Sequence, residues 1–445
     1  MSQIDRRNFV KLTAAAGIGS MVYLPTGARA FSFSPNETVN AAIIGMNGRA
    51  QAHIQSIQSG QNIKVTHVCD VDEKILNARA ESARKMLGYK VKKEKDFRKL
   101  LENKDIDAVF IATPEHWHAP MAIMAMQAGK HVYVEKPCSH NPRENELLVE
   151  AQKKYGLLCQ MGNQQRSAVT SAQAVKEISE GIIGEVYFGK AWYSNTRGSI
   201  GRGKKVAVPG HLDWDLWQGP APREDFRDNL HPYNWHWFKT WGTGEIHNNG
   251  THEIDICRWA LGVHLPKRVV SSGGRYHFKD DDWQFYDTQL ATFEFDGDKA
   301  ITWEGRSCNG LPHYGKGRGC TIHGTKGTIL LDRENYILYD MQNNVIKHEL
   351  EKDPGTSNDT KDTTGFDGLT VSHIQNFVNG IREGEALRSE IKDASISTMI
   401  CHLGNISQDL QQSLDIDTST GKVIDNKEAM GQWERQYEKG WELKV

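Results

Sequence analysis

Val39-Asn40-Ala41-Ala42-Ile43-Ile44-Gly45-Met46-Asn47-Gly48-Arg49-Ala50 reads as a strand, a glycine-bearing turn and the start of a helix that runs on through Ile57. The apolar run is short enough for a strand buried on both faces. A glycine turn at that point lets main-chain N–H groups at a helix N-terminus approach a pyrophosphate, where the helix dipole favours negative charge. In a G-x-G-x-x-G register the second glycine is Asn47 and the third is Ala50. Asn tolerates left-handed backbone angles and Ala is accepted at the third position, so the turn survives both departures. An ordinary strand-to-helix loop has the same local pattern, and the next strands decide between the two.

Val65-Thr66-His67-Val68-Cys69-Asp70 is a second strand that ends on a carboxylate. It comes at roughly the 20-residue spacing that brings an acidic group to the adenosine ribose hydroxyls. Asp70 therefore speaks for NAD and against NADP, whose 2′-phosphate would meet its charge; a helix N-cap is the alternative use of the same residue. Two further strand-to-loop junctions keep the rhythm. Ala108 to Thr113-Pro114 leads into a helix from Ala119 to Ala128, and His131 to Val134 leads into Glu135-Lys136-Pro137. Alternating strands and helices predict a doubly wound parallel sheet, with Gly45, Asp70, Thr113, Glu135 and Lys136 gathered at the carboxyl ends of its strands.

Taken together, GMNGRA, VCD, ATPEHWHAP and AGKHVYVEKP, in this order and at these distances, resemble the Gfo/Idh/MocA family of sugar and inositol oxidoreductases. The resemblance covers nearly all of the chain after its first thirty residues. It implies an N-terminal Rossmann domain over 36–160 and a C-terminal α/β domain over 161–445 with a large, mostly antiparallel open sheet. It places Lys136 between nicotinamide and substrate. The cofactor set it implies comprises Gly45, Asn47, Gly48, Arg49 and Asp70 from the first half of the unit. From the second half come Thr113, Pro114, His118, Glu135, Lys136 and Asn163.

Beyond Gly162-Asn163 the pattern changes. A helix from Ser171 to Glu180 precedes alternating runs at Gly184–Tyr193, Lys267–His277, Tyr286–Phe295, Ala300–Arg306, Gly319–His323 and Gly327–Leu331. Such spacing with glycine turns fits an open, largely antiparallel sheet. The stretch 353–368 reads as a surface loop. Between Asn195 and Trp241 lies a segment rich in Gly, Pro, His and Trp, including Trp214, Trp217, Trp235 and Trp237. It suits a sugar-stacking wall, a subunit contact or a buried satellite core.

The central constellation is Gly242 to Asp255. If a helix begins near Asn248, residues 248, 252 and 255 share one face. The family's pattern there is an aspartate, a histidine four residues on, and a second aspartate. His252 and Asp255 match, whereas Asn248 replaces the first aspartate. Read alone, His252 also fits a capping or core histidine; Lys136 upstream turns the reading to catalysis. Oxidising a secondary alcohol means taking the hydroxyl proton while hydride leaves the same carbon. Imidazole titrates near neutrality and suits the proton, an ammonium stabilises the oxygen, and Asn248 holds a hydroxyl but takes no proton. His247 and Glu245 stand nearby as substitutes for the lost carboxylate.

Three functions remain open on this reading. The first is NAD-dependent oxidation of a sugar, glycoside or polyol. The second is redox-neutral glycoside hydrolysis or elimination through a transient keto sugar. The third is non-catalytic, NAD-bound sugar binding. The family's α-N-acetylgalactosaminidases carry Tyr-Pro-Thr-His where this chain has residues 247–251, and lack a lysine after the EKP glutamate.

The remaining features bound these readings. The 445 residues suffice for two domains, and 38% hydrophobic with 25% charged residues is a globular balance. A net charge of −2 with interspersed signs supplies no stripe for nucleic acid. Seven isolated cysteines suggest neither a disulfide framework nor a metal site and are expected in the core. The opening Asp5-Arg6-Arg7-Asn8-Phe9-Val10-Lys11, a weakly apolar run from Leu12 to Leu24, and Ala28-Arg29-Ala30 resemble a twin-arginine (Tat) export leader over residues 1–30. The expected location is the periplasm, with membrane association if the leader is kept. The expected partners are the Tat export machinery, a sugar or polyol, and further copies of the chain.

Overall fold

β1 (Val39–Ile44), β4 (Ala108–Ile111) and β5 (His131–Val134) are buried along nearly their whole lengths, as their unbroken apolar sequences require. With β2 (Ile63–Cys69), β3 (Lys92–Glu94) and β6 (Cys159–Met161) they form a six-stranded sheet in the order β3-β2-β1-β4-β5-β6. Every pairing in it is parallel. This is the doubly wound dinucleotide-binding order. These elements come from a computed structural model that describes residues 37–352 and 367–445. The expected twin-arginine leader over residues 1–30 and residues 353–366 of the expected surface loop lie outside the described residues.

The second sheet runs β14-β13-β12-β11-β7-β10-β9-β8-β15 among the described residues. Its strands are β7 (Val186–Ser194), β8 (Arg268–Gly274), β9 (Thr288–Phe295), β10 (Lys299–Arg306), β11 (Arg318–Gly324), β12 (Gly327–Leu331), β13 (Asn335–Tyr339), β14 (Val345–Leu350) and β15 (Leu414–Asp415). Only β7 and β10 pair in parallel. The helices Val169–Ser179, Thr251–Leu261 and Ile391–Leu410 cover one face, where Ile254, Cys257, Phe293, Ile322 and Leu403 share one core. The mostly antiparallel open sheet is as expected. β13 and β14 extend it beyond the expected runs.

Helix Gly368–Glu383 returns the chain to the first sheet. Ile374, Phe377 and Val378 sit in one apolar cluster with Val39, Ile54 and Val65. Asp367 caps this helix, its side chain accepting from Thr370 N at 3.2 Å, and so holds a carboxylate at a fixed point beside the first sheet. Six of the cysteines, all but Cys308, are buried and all seven are free.

Candidate active site

A cleft of about 640 Å³ runs along the carboxyl ends of β1, β2, β4 and β5 and on to the second sheet. Gly45 forms its floor with φ +86°, and a Cβ there would stand 2.6 Å from the Ala112 carbonyl oxygen, so only glycine fits. Asn47 precedes helix Gly48–Ser59 without capping it by its side chain, and Asn47, Gly48 and Arg49 line the cleft, so this helix N-terminus faces it. The Asp70 carboxylate accepts from Met46 N at 2.7 Å and Asp72 N at 2.9 Å, pinning the glycine turn to the end of β2. Burial pushes Asp70 up to about 6 against those N–H groups.

Of the other residues assigned to cofactor, Thr113, Pro114, His118, Glu135 and Lys136 line the same cleft. Thr113 Oγ1 is buried without a protein partner among the described residues. Such an orphaned hydroxyl in the cleft wall fits a bound dinucleotide. Arg49 donates to Glu135 at 2.8 Å and to Thr370 Oγ1 at 2.9 Å. Glu135 also accepts from Gln164 at 3.1 Å and pairs with His53 at 2.8 Å. Burial would raise Glu135, but Arg49 and His53 hold it well below the usual carboxylate range. His118 bonds the Thr113 and Pro137 carbonyls at 2.9 and 2.6 Å and ties the two strand ends together. Asn163 is buried but outside the cleft wall; its main-chain N–H bonds Met161 O at 2.8 Å.

The catalytic assignments separate in the structure. Lys136, Asn248 and His252 line the cleft together. The Lys136 ammonium donates to the main-chain oxygen of Asn248 and, at 3.2 Å, to its Oδ1. Burial lowers Lys136, opposed by Glu115 and Glu135. The His252 ring makes no hydrogen bond among the described residues. Burial, with Arg318 and Lys136, holds it well below its ordinary value, so it is a neutral base.

Asp255, expected beside them, lies elsewhere. Its carboxylate accepts from Arg166 at 2.7 and 2.9 Å and from Ser397 Oγ at 2.6 Å, away from the cleft wall. The shared-face expectation assumed one regular helix. Instead Ile246–Gly250 is a π-helical turn leading into helix Thr251–Leu261, a device frequent at functional sites.

Neither candidate substitute for the lost aspartate reaches the cleft. His247 is buried against His402, with ring centroids 4.3 Å apart, and Glu245 is paired with Arg197 at 2.7 Å. Another carboxylate that lines the cleft is Glu115, which the sequence reading gives no role. It accepts from Thr243 Oγ1 at 2.5 Å, and burial pushes it up to about 7 although Lys136 pulls it down. The only sign of it in the sequence was an acidic residue directly after the third strand end.

The Trp-rich segment is a satellite core with one edge on the cleft. Trp214, Trp217, Phe226, Trp235 and Trp241 pack together, Trp214 stacking on Trp217 at 4.7 Å. Trp217, His231, Tyr233 and Trp235 also line the cleft. The segment is fastened over the cofactor end. Asp72 takes His211 at 2.9 Å and His231 at 3.0 Å, while Trp217 O takes Trp117 Nε1 and His116 Nε2, each at 2.9 Å.

Comparison with known proteins agrees with this geometry. Residues 39–163 match the model of an oxidoreductase family with an NAD-binding Rossmann fold, GFO_IDH_MocA. Residues 196–404 match the C-terminal alpha/beta domain of the same family. A glycosyl hydrolase family 109 protein of Solibacter usitatus is 29% identical over 210 residues, covering 45% of this chain and 48% of that protein. The chain thus spans about half the length of the curated relatives it matches. Levoglucosan dehydrogenase, solved with NADH and levoglucosan, superposes with a TM-score of 0.65 at 19% identity over 85% of this chain and 99% of its own. A putative myo-inositol dehydrogenase of Sinorhizobium meliloti gives 0.61 at 18%, over 85% of this chain and all (100%) of its own. At such identities these two likenesses speak for the fold. With both family domains matched, the chain belongs to the GFO_IDH_MocA family, an oxidoreductase family with an NAD-binding Rossmann fold.

Proposed function

We propose that this chain is an exported, NAD-dependent oxidoreductase that oxidises a secondary hydroxyl of a sugar, glycoside or polyol and keeps its NAD tightly bound. The observation that carries the reading is the meeting of Lys136 with an unbonded, neutral His252 in the cleft that Gly45, Asp70 and Thr113 open onto. The levoglucosan and inositol dehydrogenases that share the fold favour a polyhydroxylated ring as substrate.

Bound NAD supplies the hydride acceptor. The protein's own groups handle the proton and the oxygen. His252 takes the hydroxyl proton, and the Lys136 ammonium donates to the same oxygen as negative charge develops on it. Asn248 fixes the ammonium. Glu115, within the field of Lys136, favours its charged form once ionised. The balance is one carbinol oxidised to a carbonyl, one hydride to the cofactor and one proton to His252.

Retention of NAD draws support from the Trp-rich segment, which lines the cleft through Trp217, His231, Tyr233 and Trp235 and is bonded to Asp72 and Trp117. Export rests on Arg6-Arg7 and the run to Ala30. Twin-arginine export carries folded proteins, and the periplasm offers little free NAD, so loading before export and regeneration in place fit one another. The uncovered face of the second sheet, where Tyr187 and Leu290 are exposed, is a natural surface for self-association.

The family 109 relatives favour a second reading, redox-neutral cleavage of a glycoside, in which the hydride returns to the sugar. Mass spectrometry of products from a panel of free sugars and glycosides separates the two. Loss of two hydrogens from an intact sugar marks oxidation, whereas release of the aglycone with no net oxidation marks hydrolysis.

A further inference from the structure

Arg318, at the start of β11, and Arg333, in the turn between β12 and β13, line the catalytic cleft with His252. Both also line a second cavity of about 290 Å³ on their far side, bounded by Tyr193, Ser194, Asn195 and Lys316. The pair is therefore the partition between two spaces.

The two guanidinium groups are unequally matched. Arg318 is held by Glu253, Nε to Oε1 at 2.7 Å, and by Asn249 Oδ1 at 3.3 Å. Arg333 reaches only Asp367, through one nitrogen at 3.3 Å to each carboxylate oxygen. That carboxylate is shared with Arg49 at 3.6 Å and is already bonded to Thr370 Oγ1 at 2.6 Å. The Nε and Nη1 of Arg333 have no protein partner among the described residues. Burial lowers the pKa of Arg333, Asp367 opposes that shift, and the neighbouring Arg318 and Arg49 add to it. A guanidinium with free donors on a cleft wall matches an oxyanion, which it binds through paired N–H groups.

We propose that the substrate is an acidic sugar whose oxyanion, a uronate carboxylate or a sulfate ester, is bound by Arg333 with Arg318 behind it. This rests on the sugar-oxidising reading above. It adds a specificity that a neutral sugar would not use, because a neutral ring leaves the Nε and Nη1 donors of Arg333 without an anionic acceptor.

The test uses the isolated NAD-loaded protein and a matched panel of hexosides, hexuronosides and hexoside 6-sulfates. Binding and kcat/KM are measured for wild type, Arg333→Met and Arg333→Lys. The expected result is a wild-type preference for one anionic class over its neutral partner of ~10-fold or more. Arg333→Met should abolish that preference and Arg333→Lys should restore part of it. Uronate and sulfate arms tell the two oxyanions apart. Equal or better use of neutral sugars by wild type overturns the inference while leaving the oxidoreductase reading intact. So does a preference that survives in Arg333→Met. If Arg333→Met instead loses NAD in step with substrate, the guanidinium serves the cofactor phosphates and the inference fails. Binding of no sugar at all overturns both readings.

Discussion

The ammonium of Lys136 is held by Asn248 from both main chain and side chain, with Oδ1 at 3.2 Å. A residue within the match to the family's C-terminal domain therefore holds an ammonium from the match to its NAD-binding domain, the cation proposed to act in catalysis. Asn248 replaces the family's aspartate, so in this chain the cation is oriented without being neutralised.

Asn248→Ala should leave Lys136 with the main-chain contact only and lower kcat by ~10- to 100-fold through misplacement. Asn248→Asp should keep the orientation and raise the pKa of Lys136, carrying the alkaline limb of the kcat profile to higher pH. Turnover of both variants across pH checks this. An alkaline limb unmoved in Asn248→Asp would detach Asn248 from Lys136.

Burial pushes Glu115 up to about 7, against the bond from Thr243 and the charge of Lys136. Below that value it is neutral and lends Lys136 nothing; above it, the carboxylate favours the ammonium. Turnover should therefore rise through neutrality and fall again as Lys136 loses its proton. Glu115→Gln should remove the rise near pH 7 and bring the fall to lower pH. A profile identical to wild type would exclude Glu115 from the mechanism.

Asp70 holds the glycine turn through Met46 and Asp72, and is expected to accept from the adenosine ribose as well. Asp70→Ala should weaken NAD binding by ~10-fold or more and narrow the discrimination against NADP. Titration of cofactor-stripped protein measures both. A wild type that prefers NADP would contradict this role.

Much of this site was legible because its parts are backbone-determined. Gly45 needs φ +86° and clear space beside Ala112, and that need writes itself into the sequence as a glycine after an apolar run. Asp70, Thr113 and Lys136 were placed by strand ends alone. What escaped depends on neighbours distant in sequence. The π turn at Ile246–Gly250 has no local periodic signature, so Asp255 was assigned to the catalytic face. Arg166 and Ser397, which claim it, come from other elements. Glu115 looked like any loop carboxylate until burial beside Lys136 gave it a titration near neutrality. Arg318 and Arg333 sit at ends of β11 and β12, and only the folding of the second sheet brings them to His252. The Trp segment answers in two ways at once, because Trp217 and Trp235 belong to both core and cleft.

Buried histidines set the acid limit of the fold. Burial pushes His116, His236 and His247 down to about 3, and His131 and His373 down to about 4. Unfolded, each binds a proton near 6.5. The folded state thus carries fewer protons than the unfolded state between those values. Stability is fully present above pH 6.5 and is lost as pH falls towards 4. Thermal unfolding followed from pH 8 to pH 4 should show Tm steady above neutrality and dropping steadily below about 6.5. A Tm independent of pH in that lower window would contradict the neutral burial of these rings.

The proposed oxidation of a sugar by Lys136 and His252, against retained NAD, can be tested on protein collected from the periplasm with no cofactor added. Nicotinamide per chain is quantified after denaturation, and reduced-nicotinamide absorbance is followed on addition of the sugar panel. The expected outcome is close to one NAD per chain and its reduction by at least one sugar. Lys136→Met and His252→Ala should keep the NAD while reducing it ~100-fold more slowly or worse. A protein that emerges without NAD would contradict retention in place; one that holds NAD yet reduces it equally well in either variant would contradict the catalytic assignment itself.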